Sequence, residues 1–238
     1  MRSGEITVLE QLKEDVWRAN LDLVKYGLVV LTWGNVSGID RDAGLVVIKP
    51  SGVDYEKLTP DEMVVVDLAG NVVNGSKRPS SDTPTHIQLY KSFRKIGGIT
   101  HTHSINAAAF AQARVEISCL GTTHADYFAG PVPVTRFLTK KEIDRAYELN
   151  TGKVIVERFR QIDYESIPGV LVAGHGPFCW GRDASSSVRN ALILERVAEM
   201  ALKTMALNPK TKKLSGHFLN KHFERKHGKG AYYGQDSD

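Results

Sequence analysis

The sequence predicts a layered fold of helices and strands, α/β or α+β in class, from three observations. Segments with helical spacing of apolar residues alternate with short apolar runs typical of strands along all 238 residues. No internal repeat or low-complexity segment interrupts this alternation. No window of about 18 apolar residues occurs, so no membrane-spanning helix is expected. The length fits one domain, and we expect residues 1–238 to form it.

The N-terminal third predicts a helix followed by strands. Apolar residues at positions 8, 9, 12, 16, 19 and 23 have the spacing of one helix face, and Gly27 suits the end of that helix. Apolar runs at 28–32 ("LVVLT") and 45–52 ("LVVIKPSG") predict two short strands around a turn. The run at 63–73 ("MVVVDLAGNVV") predicts a hairpin.

The middle of the chain predicts a helix, a strand and a second helix. The first helix begins at Asp82 or Thr83, because Pro84 then falls in its first turn. The stretch 97–103 ("GGITHTH") predicts a strand, and 104–114 ("SINAAAFAQAR") predicts a short helix.

The C-terminal third predicts two helices with a strand pair between them. Thr139 and Glu142 form a capping-box pattern, so a helix follows. The stretch 169–181 predicts two strands around the glycine-flanked His175. The stretch 183–207 has the pattern of a long amphipathic helix.

Charge and cysteine content argue against a nucleic-acid-binding protein and against a disulfide-stabilised one. The net charge is +4, and much of the excess lies in 210–229. Apolar residues interrupt that segment at helical spacing and no nucleic-acid motif accompanies it, so we expect a solvated helix face. Two cysteines, Cys119 and Cys179, make no disulfide framework. We expect both to be buried thiols, and we expect a cytoplasmic location because the N-terminus also lacks the apolar core of a signal peptide.

Two histidines two residues apart are the first candidate for chemistry. In a strand, His101 and His103 would face the same side and could serve as cis ligands of one metal ion. The pair is equally consistent with two polar residues on a strand that is partly exposed to solvent. His175 and Asp82 would complete a set of three histidines and one carboxylate, which suits Zn²⁺, with Mn²⁺ or Co²⁺ also possible. The spacing matches no zinc-finger or HExxH pattern, so spacing alone does not establish the site.

Three turns rich in small polar residues are candidates for anion binding. The segments 32–38 ("TWGNVSG"), 49–52 ("KPSG") and 78–82 ("RPSSD") offer backbone N–H groups and hydroxyls, and the last precedes a helix. Together they could cradle a phosphate. None matches the P-loop pattern, and each alone also reads as an ordinary turn.

Seven blocks of the sequence, in order, resemble the L-ribulose-5-phosphate 4-epimerase branch of the class II aldolase/epimerase family. They are "LTWGNVSGID", "IKPSGVDY", "KRPSSDTPTH", "GGITHTHS", "GTTHADYF", "GVLVAGHGPF" and "RKHGKGAYYGQ". The resemblance covers roughly residues 8–235. It implies a single-domain α/β fold with a central, mostly antiparallel sheet flanked by helices on both sides.

The resemblance also implies roles for individual residues. The metal ligands it implies are His101, His103, His175 and Asp82. The phosphate-cradling positions are Gly34, Asn35, Ser51, Gly52, Ser80 and Ser81, with Lys49 and Thr122 lining the same pocket. The two acid/base groups are Asp126 and Tyr233, and further site positions are Glu148 and His222.

The activity implied by the resemblance is the metal-dependent epimerisation of L-ribulose 5-phosphate at C4, in arabinose or ascorbate-type pentose breakdown. The implied partner is a small sugar phosphate, with no nucleic acid and no membrane, and the implied assembly is a homotetramer with active sites between subunits. One alternative is a class II sugar-phosphate aldolase, against which Asp82 argues because the aldolase branch carries Glu there. A second is a non-catalytic binding protein of the same fold, which would have lost the histidines.

Overall fold

Seven strands and seven helices make up the fold in the computed structural model, which describes residues 3–232, with side chains from residue 8 onward. The strands are β1 Asn35–Asp40, β2 Leu45–Ile48, β3 Val64–Asp67, β4 Val72–Asn74, β5 Gly98–His101, β6 Gly169–Leu171 and β7 Pro177–Gly181. The helices are α1 Ser3–Lys25, α2 Thr83–Ser92, α3 Ile105–Ala113, α4 Thr122–Ala125, α5 Lys140–Arg158, α6 Ala184–Leu207 and α7 Gly216–His227. Two short 3-10 helices, Tyr55–Lys57 and Pro60–Glu62, lie between β2 and β3.

The strands form one antiparallel sheet in the order β4-β3-β2-β1-β5-β7-β6. Helices cover both faces of the sheet, because successive strand residues point to opposite faces and contact different helices. Ser37 of β1 hydrogen-bonds His86 and Tyr90 of α2 on one face. Thr100 of β5 hydrogen-bonds Ser187 of α6 on the other. The predicted layered α/β fold with a sheet flanked by helices is therefore confirmed.

The strand predicted at 28–32 is wrong. The strand before the first turn is β1, which lies between β2 and β5 at the centre of the sheet. Leu31 adopts a left-handed backbone conformation with φ 54° and is exposed, so the apolar run is a surface turn. Asn20 of α1 fixes β1 instead, because its side-chain oxygen accepts from Val36 N–H at 2.9 Å and its amide donates to the Val36 carbonyl at 3.2 Å.

Most of the other predicted elements are confirmed. The hairpin is β3–β4, Asp82 is the N-cap of α2, and Thr139 and Glu142 form a capping box at the start of α5. β5 is shorter than predicted, because it ends at His101. Cys119 and Cys179 are both buried free thiols. Among the described residues, no helix is long and apolar enough to cross a membrane.

Candidate active site

Three histidine side chains converge beside the end of β5 and the turn between β6 and β7. The Nε2 atoms of His101 and His103 are 3.1 Å apart, although the strand ends at His101. One ligand atom from each of His101, His103 and His175 lies within 4.8 Å of the others. Two nitrogens bound to one ion at about 2.0–2.1 Å are themselves separated by about 2.9–3.4 Å. The 3.1 Å separation of the His101 and His103 nitrogens lies within this range, and with His175 they form a group that could hold one divalent metal ion.

Burial favours the neutral, metal-binding form of two of the three imidazoles, those of His103 and His175. His101 Nδ1 donates to the Pro177 carbonyl at 2.9 Å, which orients its Nε2 toward His103. Burial lowers the pKa of His175 to about 3, and the neighbouring His101 and His103 contribute to that shift. Burial and the adjacent His101 also lower the pKa of His103. A metal ligand must be deprotonated, so this electrostatic setting favours binding at neutral pH.

The Asp82 carboxylate lies on the same cavity but outside the three-histidine group. Asn35 Nδ2 donates to Asp82 Oδ2 at 2.8 Å and to Ser80 Oγ at 3.1 Å. Burial raises the pKa of Asp82, but the charges of His101 and His86 and the Asn35 hydrogen bond outweigh it and leave the pKa below its usual value. The buried Asn35 Oδ1 accepts no hydrogen bond within the described part of the chain. Such an acceptor is suited to a ligand hydroxyl or a water.

Most of the predicted site residues line a single open cavity of about 400 Å³. Those that line it are Gly34, Asn35, Lys49, Ser51, Gly52, Ser80, Ser81, Asp82, His101, His103, Glu148 and His175. The three polar turns and the histidines, which are far apart in sequence, therefore face one space.

Lys49 supplies the positive charge of the polar wall. Its side chain is buried, and its Nζ donates only a long hydrogen bond of 3.5 Å to the Pro50 carbonyl among the contacts of the described residues. Burial lowers the pKa of Lys49 to about 8, although Asp54 raises it in part. An ammonium group with unused donors at a cavity wall is suited to an anionic group of a ligand.

The other predicted site residues form a second cluster that ties α7 to α4. Asp126 Oδ1 accepts from His222 Nδ1 and Arg225 Nε, each at 3.0 Å, and Asp126 Oδ2 accepts from Arg225 Nη2 at 2.7 Å. Burial raises the pKa of Asp126, but these hydrogen bonds lower it below its usual value. Thr122, Asp126 and His222 do not line the histidine cavity of the same chain. Tyr233 lies outside the described residues.

Sequence reasoning missed two aromatic residues at the cavity. Trp33 and Tyr147 both line it, and the Tyr147 hydroxyl is 3.3 Å from His175 Nδ1. Trp33 lies inside a turn that the sequence marks as polar. Tyr147 directly follows Ala146, whose non-helical φ of −166° and ψ of 74° kink α5. Alanine favours a regular helix, so the sequence gives no sign of that kink.

Residues 14–202 match the family described as the Class II Aldolase and Adducin N-terminal domain. The chain belongs to that family. The matched span contains the three histidines, Asp82 and the polar turns, and it ends before α7.

Solved structures share the fold over most of the chain. An L-fuculose 1-phosphate aldolase is 25% identical with a TM-score of 0.77, and the match covers 90% of this chain and 95% of that one. YgbL of Klebsiella pneumoniae, described as a putative aldolase/epimerase/decarboxylase, is 22% identical with a TM-score of 0.72 over 90% and 98% of the two chains. An L-fuculose-1-phosphate aldolase of Thermus thermophilus is 22% identical with a TM-score of 0.63 over 85% and 98%.

Proposed function

We propose that this protein is an L-ribulose-5-phosphate 4-epimerase, which inverts C4 to give D-xylulose 5-phosphate. The observation that carries the proposal is the placement of three converging histidines and a wall of serines, glycines and one lysine on the same cavity. A phosphorylated keto sugar needs both features, because its oxygen-rich keto half suits a metal and its phosphate suits the polar wall.

The position of C4 dictates the route. C4 is not adjacent to the C2 ketone, so its C–H bond is not acidic and direct deprotonation is unfavourable. The C4 hydroxyl is β to the ketone, so loss of its proton allows the C3–C4 bond to break. The bonding electrons pass to the keto half as an enediolate, and the other half leaves as glycolaldehyde phosphate. Rotation of the aldehyde and re-formation of the bond on its other face give the epimer.

The metal ligands we propose are His101, His103 and His175, with Asp82 as the carboxylate. Zn²⁺ is the ion best suited to this donor set, with Mn²⁺ or Co²⁺ as alternatives. When bound, the ion supplies Lewis-acid stabilisation of negative charge on the keto half. Asn35 holds the Asp82 carboxylate in place through its 2.8 Å hydrogen bond.

The polar wall has a separate task, which is to retain glycolaldehyde phosphate while its aldehyde turns. The proposed phosphate ligands are Gly34, Asn35, Lys49, Ser51, Gly52, Ser80 and Ser81, all of which line the cavity. The buried Lys49 ammonium offers charge, and the serine turn before α2 offers hydroxyl and N–H donors. Retention of the fragment is what separates an epimerase from an aldolase.

The reaction needs two acid/base groups, one on each face of the aldehyde, and we propose Asp126 and Tyr233 for them. The Asp126 cluster does not line the cavity of its own chain, so in this proposal a neighbouring subunit supplies it. A homotetramer with sites at subunit interfaces would meet this requirement, and in this proposal Thr122 and His222 of the same neighbouring subunit join the site, to which the chain's own Glu148 contributes.

The second candidate function is a class II sugar-phosphate aldolase, which the 25% identity to an L-fuculose 1-phosphate aldolase favours. The two activities are distinguished by incubating the metal-loaded protein with L-ribulose 5-phosphate in D₂O. The epimerase should form D-xylulose 5-phosphate without deuterium at C4, since that C–H bond never breaks. Accumulation of dihydroxyacetone and glycolaldehyde phosphate would support the aldolase. Deuterium at C4 would rule out carbon–carbon cleavage as the route.

A further inference from the structure

Tyr55 lies directly behind two parts of the cavity wall without lining the cavity itself. It begins the short 3-10 helix Tyr55–Lys57, and its side chain is buried. Its hydroxyl reaches the turn before β1, and its ring lies beneath the Lys49 ammonium. One buried side chain therefore contacts both the backbone and the cationic part of the polar wall.

The hydroxyl fixes the backbone of the turn. Tyr55 Oη lies 2.9 Å from the Trp33 carbonyl oxygen and 3.0 Å from the Gly34 carbonyl oxygen, so its hydrogen is shared between them. On the other side, a Cβ at Gly34 would lie 2.8 Å from the His101 carbonyl oxygen, so the turn is held between Tyr55 and β5. The turn can pack this closely because residue 34 is a glycine with φ 80°.

This anchoring orients a backbone donor. The Trp33–Gly34 peptide bond is trans, so the Gly34 N–H points opposite to the Trp33 carbonyl and away from Tyr55. The Gly34 N–H donates to no backbone acceptor within residues 3–232. Gly34 lines the cavity, so this N–H is suited to a ligand oxygen.

The ring fixes the cation. Lys49 Nζ lies 4.7 Å from the centroid of the Tyr55 ring, within the range of a cation–π contact. Lys49 is 1% exposed, and its one side-chain hydrogen bond to another described residue is 3.5 Å long. The ring therefore compensates in part for the lost hydration of the ammonium and leaves its N–H donors available to a ligand.

We propose that Tyr55 is the positioning residue of the phosphate subsite, whose ring sets the Lys49 ammonium and whose hydroxyl sets the Trp33–Gly34 turn toward the same phosphate. This inference rests on the proposed function, which places the phosphate of the substrate at this wall. It assigns a role to a residue that does not itself line the cavity.

The test compares Tyr55→Phe, which keeps the ring, with Tyr55→Leu, which removes both contacts. The probe is inorganic phosphate, titrated calorimetrically into the metal-loaded full chain, alongside kcat and KM for L-ribulose 5-phosphate. We expect Tyr55→Phe to weaken phosphate binding and raise KM roughly 3-fold, and Tyr55→Leu to do so roughly 10-fold or more, with kcat changed less than KM. Tyr26→Phe, a change at a tyrosine outside the cavity wall, should leave the phosphate affinity and KM unchanged.

A Lys49→Met variant separates failure of the inference from failure of the proposed function. If Lys49→Met weakens phosphate binding but the folded Tyr55 variants bind as the parent does, Tyr55 is merely structural and the inference is wrong. If Lys49→Met also binds phosphate as the parent does, the phosphate does not lie at this wall, and both the subsite and the positioning role fall.

Discussion

Removing the Glu195 carboxylate should destabilise the protein strongly, because it caps a helix that begins beside the three-histidine group. Glu195 of α6 is 6% exposed. Its Oε1 accepts from Asn106 N–H at 3.0 Å and from Asn106 Nδ2 at 2.7 Å, and its Oε2 accepts from Ala107 N–H at 2.9 Å. Ser104, the N-cap of α3, makes no side-chain cap bond. The carboxylate therefore satisfies donors at the first turn of α3 from across the core.

The cost follows from those three bonds. A hydrogen bond to a charged group contributes about 1.5–3 kcal/mol, and three bonds to one carboxylate are not additive. We expect Glu195→Ala to lower the free energy of unfolding by roughly 3–5 kcal/mol. Glu195→Gln keeps one acceptor oxygen, but its amide N–H would face a backbone N–H, and two donors repel each other. We therefore expect it to lower the free energy of unfolding by roughly 2–3 kcal/mol. Either loss is a large share of a typical stability of about 5–15 kcal/mol.

The assay is urea unfolding followed by circular dichroism, with Glu199→Gln as the matched control. Glu199 lies one turn further along α6 and pairs with Arg196 and Lys203 at the surface, so its loss should change the unfolding midpoint far less. A Glu195→Gln midpoint equal to that of the Glu199→Gln control would refute the capping argument.

Four further predictions follow from the site and its surroundings. His175→Ala should abolish stoichiometric Zn²⁺ after dialysis while circular dichroism stays unchanged; full zinc retention would remove His175 from the ligand set. Tyr147→Phe should weaken zinc affinity roughly 10-fold, because the hydroxyl orients His175, and a competition titration with a chelator measures this. Asp126→Asn should keep zinc but lower kcat roughly 100-fold, whereas full turnover would exclude Asp126 as an acid/base. Burial lowers the pKa of His124 to about 4, although the hydrogen bond to the Gly130 carbonyl raises it in part. The stability that the neutral imidazole contributes is present above about pH 6.5 and is lost as the pH falls toward 4. Between pH 7.5 and pH 4.5, the free energy of unfolding of the parent should therefore fall by about 2–3 kcal/mol more than that of His124→Gln. Equal falls, measured by urea titration at the two pH values, would contradict this.

The elements that the sequence predicts well are those whose signals are local. The capping box at Thr139 and Glu142 and the glycine-flanked turn at His175 each depend on a few adjacent residues, and both lie where the pattern predicts. The strand prediction at 28–32 is wrong because apolar, β-branched residues favour a strand only where a neighbouring strand can pair with them. In the fold that central place goes to β1, which the Asn20 side chain holds in position.

The parts of the site that the sequence could not predict depend on contacts between distant residues. Glu195 lies 89 positions from Asn106, and nothing in the spacing of α6 marks it as the cap of α3. The approach of Tyr147 to His175 depends on the kink at Ala146. Asp126 does not line the histidine cavity and instead binds Arg225 of α7, a contact across 99 positions that no local pattern encodes.

The measurement that tests the central claim most directly is the conversion of L-ribulose 5-phosphate, followed by NMR, in chelator-treated protein and after Zn²⁺ is restored. We expect no conversion after treatment with EDTA, and approach to an equilibrium of L-ribulose 5-phosphate and D-xylulose 5-phosphate once zinc is added back. Conversion that persists at full rate in protein shown to be free of metal would contradict the metal-dependent mechanism. Absence of D-xylulose 5-phosphate from the zinc-loaded enzyme would contradict the assignment as an epimerase.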